Sequence, residues 1–75
     1  MRKFTLLIGS TDDFESLEDL KEAYFNNGLE YLNASFYEFE LPMNLSYDTV
    51  TLVGRGHAFE NGWCMDDTFS CILEA

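Results

Sequence analysis

The sequence predicts an α+β fold in which one helix packs on a mainly antiparallel four-stranded sheet, in the order β-α-β-β-β. Three observations lead there. Residues 3–8 read as a strand with Phe4, Leu6 and Ile8 on one face, and the stretch from 13 or 16 to 25 repeats apolar side chains near 3.6. An Asn61-Gly62 pair then divides two β-rich runs. Seventy-five residues make one small domain, 1–75, able to bury only about 60–65% of its unfolded surface. Seven Phe, four Tyr and one Trp help such a short chain, because each ring buries roughly 150–250 Å².

In the first strand Phe4, Leu6 and Ile8 share one face, and Thr5 and Leu7 share the other. Leu7 therefore marks a strand covered on both sides. Residues 9–13 form a turn that offers several helix N-caps. The helix that follows ends at Asn26-Asn27-Gly28, where a left-handed cap suits Asn or Gly. Its apolar face comprises Phe14, Leu17, Leu20, Tyr24 and Phe25. Residues 29–33 read equally as a helical turn or as the lead-in to a strand. The strand at 35–41 turns Tyr37, Phe39 and Leu41 inward and Phe36, Glu38 and Glu40 outward, until Pro42 ends it.

After a loop over 42–48, the stretch 48–74 reads as a β-hairpin. Asn61-Gly62 suits a type I′ turn, which needs φ > 0 at both central positions. Pairing from that turn sets Trp63 opposite Glu60, Phe69 opposite Gly54, Cys71 opposite Leu52 and Leu73 opposite Val50. One apolar face results. Gly54 leaves room for the Phe69 ring or marks a bulge, and Met65-Asp66-Asp67 is where the second strand can break.

Fourteen acids against four bases give a net charge of −10, beyond the magnitude of about 2–8 that suits a small soluble domain. Direct binding to nucleic-acid phosphates or to anionic membranes is disfavoured, since both need clustered Lys and Arg. A basic nucleic-acid-binding protein or complex is the natural partner. No segment approaches the ~20 apolar residues of a membrane span. The apolar run after Arg2 and Lys3 is too short for a signal peptide, and the Cys71-to-Ala75 end is one residue too long for a prenylation box. A cytoplasmic protein is expected. Cys64 and Cys71, if on one strand, point to opposite faces more than about 20 Å apart, so reduced thiols are expected.

Asp12, Glu15, Asp19 and Glu22 would form a stripe about 15 Å long on the helix. That is one charge per ~4–5 Å, close to the ~3.4 Å phosphate rise of a DNA strand. Glu38 and Glu40 on the strand, with Asp66 and Asp67, would extend this partner-binding surface, and Asp48 and Glu60 could join it. The competing reading is a solvated helix face whose acids favour the helix N-terminus. Trp63, with Phe59 and Met65 nearby, would form an apolar anchor at the hairpin tip, unless the ring folds back into the core. Phe36 poses the same choice. His57, Cys64 and Asp66 form the only constellation resembling a nucleophilic site, and strand parity sends Cys64 to the wrong face. A His57–Asp66 cross-strand pair is the plainer reading. The same parity argues against metal binding by Cys64, Cys71 and His57, and Gly54-Arg55-Gly56 lacks the features of a phosphate loop. Neither an enzyme nor a cofactor is expected.

With Asp12, Asp13, Glu15, Glu18, Asp19 and Glu22 on a short helix beside a small sheet, the chain resembles the small acidic inhibitors that phages encode against bacterial defence, of the anti-CRISPR and anti-restriction type. The resemblance is one of general character and carries no alignable motif. It implies a stoichiometric inhibitor acting in the bacterial host cell, as a DNA mimic against a CRISPR effector or a restriction enzyme. The alternative is a small structural or regulatory module, homodimeric through Phe36, Trp63 and a free strand edge. Salt separates the two, because a charge-mediated complex weakens steeply with ionic strength and an apolar dimer does not.

Overall fold

Three strands and two helices alternate along the chain in a computed structural model that describes residues 1–30 and 32–75 and, for Met65, the backbone alone. The elements are β1 (Arg2–Ser10), α1 (Leu17–Asn27), β2 (Ala34–Leu41), α2 (Tyr47–Glu60), a 3-10 turn (Met65–Asp67) and β3 (Thr68–Glu74). The fold is α+β, as the sequence predicts, but it has two helices and a three-stranded sheet in place of one helix and four strands.

β1 occupies the centre. It pairs antiparallel with β2, from Arg2 opposite Leu41 to Gly9 opposite Ala34. It pairs antiparallel with β3 from Phe4 opposite Glu74 to Ser10 opposite Thr68. The sheet order is therefore β2-β1-β3, with the two outer strands parallel to each other. Because facing residues share a side of the sheet, Leu7 lies beside Phe36 and Cys71 on one face, and Leu6 beside Tyr37 and Ile72 on the other. The first face packs against α1 around Leu7, Phe14, Leu20 and Leu29. The second packs beneath α2 around Leu6, Ile8 and Ala58, with Phe39 and Trp63 against them. Both faces of β1 are thus covered, which is why its apolar residues run on without a clean alternation.

α1 begins at Leu17, where Ser16 is the N-cap and its hydroxyl accepts from the Asp19 N–H at 3.3 Å. Gly28 closes it at φ 66°. Leu29 shares that left-handed φ, a conformation that costs a side-chain-bearing residue roughly 1–2 kcal/mol; burial of its side chain offsets the cost. Phe14 precedes the helix and still reaches the core, whereas Phe25 is 70% exposed and leaves the apolar face assigned to it. Tyr31 lies outside the described residues, so the open reading of 29–33 is only partly met. Leu29 is bent into the cap and Asn33 leads into β2.

The hairpin over 48–74 is replaced by α2 and β3. Ser46 caps α2, its hydroxyl accepting from the Thr49 N–H. Val50, Gly54 and Ala58 are buried at a spacing of four, so the buried line follows a helix and not a pleat. Gly54 marks no bulge and does not face Phe69: a Cβ there would lie 2.8 Å from Ile72 Cδ1. Asn61-Gly62 supplies a helix stop in place of a hairpin turn. Gly62 has φ 86°, its N–H donates to the Phe59 carbonyl, and the Trp63 N–H reaches back to the Ala58 carbonyl. This is the Schellman pattern, with Trp63 packed over Ala58. Of the two positive φ angles that a type I′ turn requires, only the one at Gly62 is present; Asn61 sits at φ −98° as the helix C-cap.

Candidate acidic interface

Four segments deliver carboxylates to one end of the molecule. β1 leaves the sheet at Ser10, and the next residues are held by short backbone bonds. The Asp12 N–H donates to Ser10 Oγ at 3.1 Å, and the Asp13 N–H to the Ser10 carbonyl at 3.1 Å. The Thr11 N–H donates to the Asp67 carbonyl at 3.0 Å, which ties this turn to the 3-10 turn before β3. The two turns that carry Asp12, Asp13, Asp66 and Asp67 therefore meet, and all four residues are exposed. Glu15 lies just ahead of α1, which starts at the same end and adds Glu18 and Asp19. α2 finishes there, contributing Glu60.

Two of these acids also hold the backbone. Asp13 Oδ2 accepts from the Asn33 N–H at 3.0 Å, and Asp19 Oδ2 accepts from the Glu15 N–H at 3.3 Å. With Ser16 accepting from the Asp19 N–H, this makes a reciprocal cap close to a capping box. Their carboxylates are consequently fixed in direction. Lys21, 3.7 Å from Glu18, makes the one ion pair at this end among the described residues. The other ion pair lies at the opposite end, where Arg2 Nε meets Glu74 Oε2 at 2.8 Å and the guanidinium sits 5.0 Å above the Phe4 ring. That bond holds the Glu74 carboxyl below the usual range and raises Arg2.

Of the residues assigned to partner binding, the structure gathers Asp12, Glu15, Asp19, Asp66 and Asp67. The helical stripe itself is corrected: Asp12 and Glu15 precede α1, so only Asp19 and Glu22 stand on it. Glu22 lies one turn further along and is exposed. Glu38 and Glu40 do not join the group. They face Thr5 and Lys3 across the sheet, toward its far end. Asp13, absent from the assigned set, lies in the turn after β1, and Glu60, which the sequence offered as an extension, arrives at the end of α2; Asp48 stands in the first turn of α2.

Trp63 takes the inward choice. Its indole N–H donates to the Tyr37 hydroxyl at 2.8 Å, and its ring is half-buried against the core. The neighbouring ring, Phe59, is 80% exposed. The Met65 side chain, the third member of the expected anchor, lies outside the described residues. Phe36 meets Tyr24 edge to face at 5.3 Å.

No His57–Asp66 pair forms, because His57 is on α2 with its ring 5.2 Å from Phe39. Both cysteines are free, and they do not share a strand: Cys64 is exposed ahead of the 3-10 turn and Cys71 is half-buried in β3. Burial pushes the Cys71 thiol up. Among the described residues no group of three or more His, Cys, Asp or Glu side chains could hold a metal ion, and no helix is long and apolar enough to cross a membrane. An open depression of about 280 Å³ lies within the acidic end, lined by Ser10, Asn33, Trp63, Cys64 and Asp67 among others. Comparison with protein-family models, with curated proteins and with solved structures finds no match.

Proposed function

We propose that this protein is a non-enzymatic inhibitor that presents its acidic end to a cationic, nucleic-acid-binding groove of another protein. A bacterial defence complex, either a CRISPR effector or a restriction enzyme, is the class of target that its general character suggests. The observation that carries the reading is the gathering of Asp12, Asp13, Asp66 and Asp67 on two turns joined by the Thr11–Asp67 backbone bond. Glu15 lies just ahead of α1, Asp19 in its first turn and Glu60 at the end of α2, and among the described residues Lys21 is the one base paired there.

A groove that releases counterions when it binds phosphates gains the same entropy from rigidly held carboxylates. Rigidity matters, since charges on a loose loop would lose conformational freedom on docking. The capped turns supply it. The geometry also redirects the mutational test away from Asp13 and Asp19, which hold the backbone.

The test is capture from a bacterial lysate on the immobilised protein at about 50 mM and about 300 mM NaCl, with duplex DNA as competitor. A nucleic-acid-processing complex retained at the lower salt and displaced by DNA is the expected result. The variant Asp12→Asn/Glu15→Gln/Asp66→Asn/Asp67→Asn should bind that complex roughly tenfold or more weakly while keeping its fold. Capture that is indifferent to salt and DNA, or undiminished in the variant, overturns the reading.

A further inference from the structure

α2 is apolar on the side that faces away from the sheet. At 100° per residue, Leu52, Gly56 and Phe59 lie opposite the buried line of Val50, Gly54 and Ala58. Leu52 is 70% exposed and Phe59 80%. Large apolar side chains grouped on the outer side of a surface helix mark a contact face. Gly56 adds to it. A Cβ at that position would meet nothing within 4 Å, so the fold gives no reason for a glycine that weakens the helix. A glycine between two exposed apolar residues lets another backbone come close.

The charges on this face identify what covers it. Asp48 and Arg55 are both exposed and stand seven residues apart, hence on the same flank of the helix. Arg55 makes no ion pair among the described residues. Two copies of α2 laid antiparallel about a two-fold axis between Thr51 and Leu52 would set each Arg55 beside the partner's Asp48. They would also bring Leu52 against Leu52 of the partner subunit. Phe59 would extend past the partner's N-terminal turn toward the segment that holds Met43, which is 69% exposed. The face is self-complementary in charge and in apolar surface, as an isologous contact requires.

We propose that the chain forms a homodimer through the outer face of α2, antiparallel, with Leu52, Gly56 and Phe59 at the contact and Arg55–Asp48 pairs closing it. The outer face of a 14-residue helix offers roughly 500 Å² per protomer, about 1,000 Å² in total. That is the size of a weak, reversible dimer. The pairing stands apart from the proposed inhibitory role, and it would turn the two acidic ends in opposite directions, because α2 ends in each of them.

Sedimentation equilibrium of the full chain alone, from about 1 μM to about 500 μM at about 150 mM NaCl, tests the dimer without any partner. The expected mass rises toward twice the 8.7 kDa of the single chain. Leu52→Lys/Phe59→Lys changes only exposed side chains, so it should keep the far-UV circular dichroism and raise the dissociation constant about 30-fold or more. Asp48→Arg and Arg55→Asp should each weaken the dimer, and the double exchange should restore it. A mass of one chain throughout, or a dimer untouched by the lysines, overturns the proposal. Single exchanges without effect, or a double exchange that fails to restore what the singles lose, overturns the antiparallel pairing.

Discussion

On the α1 side of the sheet the close approach is made by a glycine in the strand, and on the α2 side by a glycine in the helix. A Cβ on Gly9 of β1 would lie 2.6 Å from Phe14 Cε2 and 2.9 Å from Leu20 Cδ1. A Cβ on Gly54 of α2 would lie 2.8 Å from Ile72 Cδ1 and 3.7 Å from Leu6 Cδ1. Large side chains from the α1 layer therefore drop into a notch in the sheet, whereas α2 brings its backbone down onto side chains that rise from the sheet. The outer faces differ in the same sense. α1 presents Glu18 and Glu22 to water with Phe25 near its end, and α2 presents Leu52 and Phe59 flanked by Asp48 and Arg55. Two helices covering one three-stranded sheet are held by opposite devices, so they should respond to opposite kinds of substitution.

The largest effect should come from removing bulk under α1. Leu20 is fully buried, and Leu20→Ala should cost about 2–5 kcal/mol in chemical denaturation because the cavity cannot close. A cost below about 1 kcal/mol would mean that α1 is not held by its large side chains. Under α2 the sensitive change is added bulk. Gly54→Val should cost about 1–3 kcal/mol by forcing Ile72 aside. Gly56→Ala, only two residues on, should instead stabilise the dilute monomer by about 0.5–1 kcal/mol, since its Cβ meets nothing. Equal signs at the two glycines would break the comparison.

The smallest expected effect lies at the end away from both glycines. Hydrogen bonding from Arg2 holds the Glu74 carboxyl below its ordinary range. Its contribution to stability is therefore present above about pH 4.3, the unfolded value, and is lost as pH falls through the lower folded value. Glu74→Gln should melt slightly below the parent at pH 7, and the gap should close in acid. A gap that persists below about pH 2 would assign the effect to packing.

The same contrast explains which parts of the fold were legible. β1, β2 and the end of α1 could be read because each obeys one strong local rule: continuous apolar residues, alternation up to Pro42, and a glycine at the left-handed cap. α2 could not. Thr49, Val50, Thr51 and Val53 are β-branched, and Gly54 and Gly56 are poor helix formers, so local preference favours a strand where burial against Leu6 and Ile72 imposes a helix. The recurrence of Val50, Gly54 and Ala58 every four residues held the correct signal. It was masked by Leu52 and Phe59, whose apolar character points outward. The acidic end was half legible for a related reason. Composition gives the number of carboxylates, but bringing Asp66 and Asp67 beside Asp12 needs the antiparallel pairing of β1 with β3.

That pairing has a kinetic meaning as well. Of the three strands the central one is synthesised before the other two and β3 after them, and the Ala75 N–H donates to the Lys3 carbonyl at 3.0 Å. A ribosome adding about 5–20 residues per second must pass residue 74 before the nascent chain can close its sheet. Until then the Leu6-Leu7-Ile8 segment waits with the edge that β3 will cover still open.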